Sequence, residues 1–510
     1  MSVFGNAVRF LDDHINPVLV KELRQAVQSN FVTVLLLVYL LIDILAMMLA
    51  VLFDHSLTSS LHAGGDVFMT LDTILLGTCL LFVPTYAGIR LAAERADQNV
   101  DLMFITTIQP GAVIWGKALT ALAIALLVVS VCAPFMMMTF LLRGIDVPTI
   151  CFVVAMDLVV VGAGVAGALF IAALPIRWPI RLLLALALLV GMVTAFSLAI
   201  SGAGGLILWG VGSRMASWHF WIPTLMFLGF ILAACGLLLF LACAALAPQA
   251  SDRARPVRLY ATLAWALTGA ACVVVARAHW PLGDPSDFGR SFLRAWANGA
   301  IGLLAIGLVI AGCERDVWGL RLRRTVPRAP ALRPFWLVFS SGALGGLLWT
   351  GLMIAGTLAT LWFGMHPHRK LMPHLVREIH IDVGLVCTVL SYVLVGTLLR
   401  DYVFRRKVNT MLVGALAMLL MAAGSLIPML IAAFHNPDSW GLTDTRWLFL
   451  NPMAGIALET HRHGGAAVYS MVAVIWCGIM VLLNLPWAVR QLRACRPAAE
   501  NVPLESRHQI

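Results

Sequence analysis

The sequence has 510 residues, of which 61% are hydrophobic and only 12% are charged, and its mean hydropathy is +0.92. A water-soluble domain is about half apolar and about a quarter charged, so this composition excludes a soluble protein and predicts a polytopic membrane protein. The net charge of +10 would favour a nucleic-acid partner in a soluble protein. In a membrane protein the same charge is explained by topology, and the positions of Lys and Arg test this explanation.

An amphipathic segment precedes the first apolar run. Asn16 is suited to cap a helix, and Pro17 to occupy its first turn. An apolar stripe is formed by Leu19, Val20, Leu23 and Val27, and the polar residues that face away from it are Lys21, Glu22, Arg24, Gln25 and Gln28. We predict that residues 1–30 are a cytoplasmic segment with an interfacial helix, the alternative being the water-exposed head of a long first span.

A polar stretch lies between the second and third apolar runs. The residues of interest in this stretch are, in order, Glu94, Arg95, Asp101, Thr106, Thr107, Pro110, Gly116 and Lys117. Within it, Val100, Phe104 and Ile108 recur at a helical period. The pattern predicts a largely helical segment at the membrane surface, with one side in lipid and the other offered to a soluble partner.

This stretch resembles the first cytoplasmic loop of the ABC-2 type permeases, the membrane subunits of ATP-binding-cassette (ABC) transporters. The residues that fit the family pattern are Glu94-Arg95, Asp101-Leu102, Thr106-Thr107, Pro110 and Gly116-Lys117. Asn99-Val100 departs from the usual Gly/Gln-Thr, and Pro110 comes two residues late. The resemblance covers about residues 14–250.

The resemblance implies that residues 93–117 are a coupling loop that contacts a separate ATPase chain. The coupling residues would be Glu94, Arg95, Asp101, Thr106, Thr107, Pro110 and Lys117. The family has a similar amphipathic helix near its N-terminus, so the resemblance also assigns Asn16, Pro17, Lys21, Glu22 and Arg24 to an interfacial coupling helix. The expected function is that of an exporter's membrane subunit in a bacterial inner membrane.

The expected partners are an ABC ATPase, the lipid bilayer and a second permease chain or a second copy of this one. The sequence from Gly111 to Ala118 nearly matches the motif of a phosphate-binding loop, but position 118 is Ala where the motif has a Ser or Thr that binds Mg²⁺. No other segment resembles an ATPase domain. We therefore expect ATP to be bound by the partner, with no cofactor, no catalytic residue and no enzymatic activity in this chain.

Apolar runs of sufficient length predict an all-α fold with about twelve transmembrane helices. The first six lie at about 31–53, 67–91, 118–142, 149–174, 180–201 and 219–247, and the other six at about 259–278, 295–313, 336–363, 382–399, 410–434 and 466–489. They form two six-span sets, residues 31–250 and 251–490, followed by a cytoplasmic tail at 491–510. The first loop of the second set is strongly basic from Arg315 to Arg333 and lacks the motif of the first set. The sequence is therefore compatible with two architectures, a fused pseudo-dimer and a half-transporter with extra spans.

Topology follows from the basic residues. With the N-terminus in the cytoplasm, most of the 35 Lys and Arg residues fall in segments on the cytoplasmic side. The positive-inside rule therefore predicts that both termini are cytoplasmic. It also accounts for the basic balance without a nucleic-acid partner.

Three aspartates lie within apolar runs: Asp43 in the first, Asp72 in the second and Asp157 in the fourth. A carboxylate in hydrocarbon is costly and normally faces a polar cavity or a partner. The three are candidate residues of a translocation path, and the alternative is an ordinary hydrogen bond between helices. They also support an alternative function, a proton-coupled secondary transporter; a membrane enzyme or assembly factor is a third class, for which no catalytic set is found.

Metal binding is not predicted. Most of the ten cysteines fall inside apolar runs, and no pair has CxxC spacing. Several histidines cluster in two loops, among them His366, His368, His461 and His463, but their spacing fits no strong metal motif. We interpret these histidines as solvated loop residues.

Overall fold

The structure, a computed structural model, describes residues 17–53, 63–96, 109–142, 144–248, 251–277, 286–315, 318, 320–365, 372–404, 410–435, 451 and 465–495. All regular secondary structure in these residues is helical. Twelve of the helices are long and apolar enough to cross a membrane. The chain is therefore an all-α, multi-pass membrane protein, which confirms the predicted class and the number of long apolar helices.

The chain divides into two compact units, Met1–Ala247 and Pro248–Ile510. In the first unit, the short helix α1 (Pro17–Val27) precedes six long helices. These are α2 (Asn30–Phe53), α3 (Ala63–Ala96), α4 (Pro110–Leu141), α5 (Val147–Ala173), α6 (Trp178–Trp209) and α7 (Trp218–Leu246).

Two helix boundaries in the first unit differ most from those expected. Helix α4 begins at Pro110, eight positions before the predicted start of its span, because a proline is well suited to the first turn of a helix. Helix α6 continues through the glycine-rich run after residue 201 to Trp209, and it is followed by Gly210, whose φ of +66° is a conformation that favours glycine. Lys117 is thus inside a helix, not in a loop.

In the second unit, the long helices are α8 (Ala254–Arg277), α9 (Ser286–Gly312), α12 (Ala343–Met365), α13 (Met372–Leu398), α14 (Met411–His435) and α15 (Gly465–Ala494). Between α9 and α12 lie two short helices, α10 (Leu320–Arg323) and α11 (Arg333–Phe339). A π-helical turn, Leu399–Val403, extends α13. The second unit thus carries its extra short helices between its second and third long helices.

Helix α5 is the centre of the first unit, since it packs against α3, α4, α6 and α7. Its glycines allow close approach: a Cβ added at Gly164 would lie 3.0 Å from Cγ of Pro84 in α3. Phe68, Leu75 and Leu76 of α3 are almost fully buried in the resulting core. Small residues on α5 therefore bring the helices of this unit together, as in other membrane bundles.

At one end of the first unit, two hydrogen bonds join the turn before α5 to the turn before α7. The backbone N–H of Gly212 donates to Oδ2 of Asp146 at 2.8 Å, and that of Val211 donates to Oγ1 of Thr149 at 2.9 Å. These bonds hold the turn before α5 to the turn before α7. Because the 32 residues of α4 span about 48 Å, this end is far from the one at which α4 starts.

Helix α6 is the least buried of the twelve long helices. Only Ala203 of its 32 residues is buried, whereas apolar side chains such as Leu182 and Val190 are more than half exposed. A surface of this kind is stable in lipid and not in water. The exposed apolar belt therefore agrees with the hydropathy of the sequence.

Tryptophan side chains hold α8, α9 and α12 of the second unit together. Nε1 of Trp265 donates to Oγ1 of Thr357 at 2.9 Å across the α8–α12 contact. Two further indole N–H groups also donate to threonine hydroxyls between helices, Trp296 to Thr268 and Trp349 to Thr262, both at 3.0 Å. Each bond satisfies an indole donor that would otherwise be buried without a partner.

We expect Thr357→Val to destabilise the second unit by about 0.6 to 1.7 kcal/mol, the scale of single hydrogen bonds between membrane helices. The matched control is Thr350→Val, because Thr350 is equally buried and its hydroxyl, as far as the described residues show, donates only to carbonyls of its own helix. Thermal unfolding in detergent, followed by tryptophan fluorescence, measures both. Equal losses in the two variants would contradict a role for the bond between α8 and α12.

Candidate functional site

A buried lysine organises one end of the first unit. Lys117 lies two turns into α4 and is only 3% exposed. A lysine ammonium in a low-dielectric interior is stable only when acceptors surround it. The structure supplies these acceptors from two other helices.

Lys117 forms two salt bridges. Its Nζ lies 2.8 Å from Oε1 of Glu94, in the last turn of α3, and 3.0 Å from Oε1 of Glu22, in α1. Glu22 is as buried as Lys117, whereas the Glu94 side chain is 22% exposed. We call these three residues the Lys117 cluster; it joins α1, α3 and α4 at one point.

A second polar contact attaches α1 to α3. Nη2 of Arg90 donates to Oε1 of Gln25 at 3.0 Å, and Nη1 donates to the Tyr86 hydroxyl at 2.8 Å. The Tyr86 ring in turn stacks on Phe31 of α2, with ring centroids 5.4 Å apart. Helix α1 is therefore fixed to the membrane helices at two positions along its length.

The faces of α1 differ in one respect from the sequence interpretation. Val20 and Val27 are exposed, as expected for side chains that enter lipid, and Lys21 and Arg24 are exposed as well. Glu22, predicted to face away with the other polar residues, is instead buried. The prediction was wrong because the amphipathic pattern of α1 contains no information about Lys117, which lies 95 positions later.

The other residues assigned to coupling fall in different places. Arg95 is half-buried in the last turn of α3, and Pro110 and Pro17 are the first residues of their helices. Asn16, Asp101, Thr106 and Thr107 lie outside the described residues, as does the apolar face predicted at Val100, Phe104 and Ile108. The structure therefore brings together Glu22, Glu94 and Lys117 from the two predicted coupling segments.

The three intramembrane aspartates are all in the core of the first unit. Asp43 and Asp72 are fully buried, and Asp157 is 5% exposed. Asp72 of α3 lies beside Asp157 of α5, and Asp43 of α2 lies beside Tyr39 and Cys132. No Lys or Arg of the described residues forms a salt bridge with them. We call these three carboxyl groups the aspartate cluster.

Among the residues that the structure describes, no group of three or more His, Cys, Asp or Glu side chains is arranged to hold a metal ion. His380, in α13, contacts the Ser470 hydroxyl at 2.8 Å. His366, His368, His461 and His463 lie outside the described residues.

The second unit has a buried cation of its own, Arg258, which belongs to no motif in the sequence. Nη2 of Arg258 lies 2.5 Å from Oε1 of Glu314, and Nη1 donates to the carbonyl oxygens of Val338 and Ser340. The N–H of Gly342 donates to Oε2 of Glu314 at 2.6 Å. Burial raises the pKa of the Glu314 carboxyl, and the Arg258 guanidinium offsets part of that rise. An isolated Glu just beyond an apolar run was the only signal in the sequence.

No protein-family model, no curated protein and no solved structure matches this chain.

We expect Lys117→Met to destabilise the first unit by about 3 kcal/mol, because it leaves Glu22 buried without its cation. The double variant Glu22→Leu/Lys117→Met should recover most of the loss, since the remaining Glu94 is partly exposed to solvent. Thermal unfolding of the purified full chain compares wild type, single and double variants. A double variant no more stable than the single one would show that the ion pair is not what Lys117 contributes.

Proposed function

We propose that this chain is the membrane-spanning subunit of an ABC transporter, an exporter of a bacterial inner membrane that is driven by a separate ATPase chain. In this proposal both termini are cytoplasmic, and each unit contributes a six-span membrane domain. The chain itself holds no nucleotide and performs no catalysis. ATP is bound and hydrolysed by the partner.

The observation that carries the proposal is the salt bridge between Glu94 and Lys117. Both residues belong to the stretch that resembles the ABC-2 coupling loop, one at each of its ends, and their side chains meet at 2.8 Å. The same lysine binds Glu22 of the N-terminal amphipathic helix. Two segments that the resemblance assigns to coupling thus share one buried charge.

A mechanical role follows from this geometry. A force applied to α1 by a soluble partner reaches α3 and α4 through the Lys117 cluster and through the bond between Arg90 and Gln25. Buried, charge-assisted bonds resist separation more than exposed ones do. Closure of an ATPase dimer against α1 would therefore move the ends of two membrane helices together and change access to the path between the helices.

The exposed cations of α1 provide the docking test. Lys21 and Arg24 are exposed and take no part in the Lys117 cluster, so we expect Lys21→Ala/Arg24→Ala to reduce association with the ATPase severalfold while leaving the fold intact. The tagged full chain would be extracted gently from its native host, and the co-purified ATPase quantified by mass spectrometry. Arg214→Ala is the matched control, an exposed cation at the opposite end of the first unit.

Two results would contradict the proposal. Absence of any ABC ATPase with the wild-type chain, under conditions that preserve known transporter complexes, would exclude the function itself. An ATPase retained equally by Lys21→Ala/Arg24→Ala and by Arg214→Ala would exclude α1 as its docking site.

A second candidate function is proton-coupled secondary transport, and the aspartate cluster is the observation that favours it. Three carboxyl groups share the core of one unit, and none forms a salt bridge with a described Lys or Arg. A buried carboxyl group without a cation is stable when it carries a proton, and proton carriers of membrane transporters are residues of this kind.

If this second function is correct, the purified chain alone should carry a transient current after a pH step on a solid-supported membrane. Asp72→Asn and Asp157→Asn should each abolish most of that current, because an amide cannot bind and release the proton. Asp146→Asn is the control, since Asp146 lies outside the long helices and already binds Gly212. No current from the wild-type chain, or an equal current from all variants, would exclude proton coupling at the aspartate cluster.

A further inference from the structure

An apolar groove lies between α8 and α12 of the second unit. It has a volume of about 470 Å³ and is lined by Trp265, Ala266, Gly269, Ala270, Val273 and Val274 of α8 and by Ala359, Thr360 and Phe363 of α12. This volume is within the range of about 300 to 1,000 Å³ that is typical of small-molecule sites. The lining side chains offer few polar groups, so the groove fits a hydrocarbon chain and not a polar solute.

Small side chains create the groove. The lining residues of α8 recur every three to four positions, which places them on one face of the helix. On this face Ala266 and Ala270 are exposed and face Ala359, where larger residues would close the gap. From Trp265 to Val274 the helix rises about 14 Å, close to the roughly 15 Å of one hydrocarbon leaflet.

A cation stands at one end of the groove. Arg277, the last residue of α8, is exposed and follows Val274 by less than one helical turn. Its Nη2 donates to the carbonyl oxygen of Phe363, a lining residue, at 2.5 Å. This bond places the guanidinium beside the groove, and within the described part of the chain the other N–H groups of the guanidinium have no acceptor and can donate to a ligand.

We propose that this groove binds one acyl chain of an anionic phospholipid whose phosphate is held by Arg277. The site lies within helices long enough to cross the bilayer, so lipid is the surrounding solvent. The length of the groove matches one leaflet, and a guanidinium favours a phosphate through charge-assisted bonds. Arg277 selects the headgroup and the groove selects the chain. This proposal is independent of whether the protein is driven by an ATPase or by protons.

The test is lipid retention by the full chain in nanodiscs of equal parts phosphatidylglycerol and phosphatidylcholine, released gently and analysed by native mass spectrometry. The wild-type chain should keep phosphatidylglycerol in preference to phosphatidylcholine. Arg277→Gln should weaken that preference by about tenfold or more, since hydrogen bonds between charged groups are among the stronger ones. Arg277→Lys, which keeps the charge, should retain part of it.

The groove is tested by Ala270→Leu, which fills it with a larger side chain at an exposed position. We expect this variant to lose the retained lipid, whereas Ala271→Leu, at the neighbouring exposed position outside the lining, should retain it. Ala266→Leu repeats the test one turn away, so that a folding defect in one variant does not decide the result. Equal retention of the two lipids by the wild-type chain, or no effect of Arg277→Gln or of both filling variants, would overturn the proposal.

Discussion

The burial of one positive charge is the constraint on which the first unit depends. Burial of the Lys117 ammonium in the protein interior is costly without acceptors, and local sequence offers it none. Glu94 and Glu22 supply them only if α1 folds back onto the ends of α3 and α4. Electrostatics within the core thus fixes the position of a peripheral helix, and α1 is bound to the bundle through the charge of Lys117.

The second unit also contains a buried cation, but the cation and its acceptors are of different kinds. There the buried cation is Arg258, in the first long helix of the unit, and its acceptors are Glu314 and backbone carbonyls around the short helix α11. The planar guanidinium reaches several acceptors in fixed directions, whereas the ammonium of Lys117 bridges two carboxylates. In both units a buried cation is one of the contacts that hold a short helix to long ones, although the order of the elements along the chain differs.

Much of the fold could be predicted from the sequence, since hydropathy alone located all twelve long helices. The candidate site could be predicted only in part. Lys117 was assigned to a loop because hydropathy treats a charge as the end of a span, and Glu22 was assigned to a polar face because periodicity is local. Their contact joins positions 95 apart, and it follows from the packing of α1 on α4. Likewise, the approach of Asp72 to Asp157 depends on the packing of α3 on α5.

The exposure of α6 has a consequence for the membrane in which this protein works. Trp178 and Trp209, exposed residues at its two ends, are about 46 Å apart along the helix, close to the roughly 40 to 45 Å of a bilayer with its headgroups. Indole rings prefer that interfacial depth. Helix α6 packs against α3 and α5 along one side, and Ala203 is its one buried residue. This packing and the two terminal tryptophans together set its tilt, so a mismatch between α6 and the bilayer thickness would act on the contacts of α6 with α3 and α5.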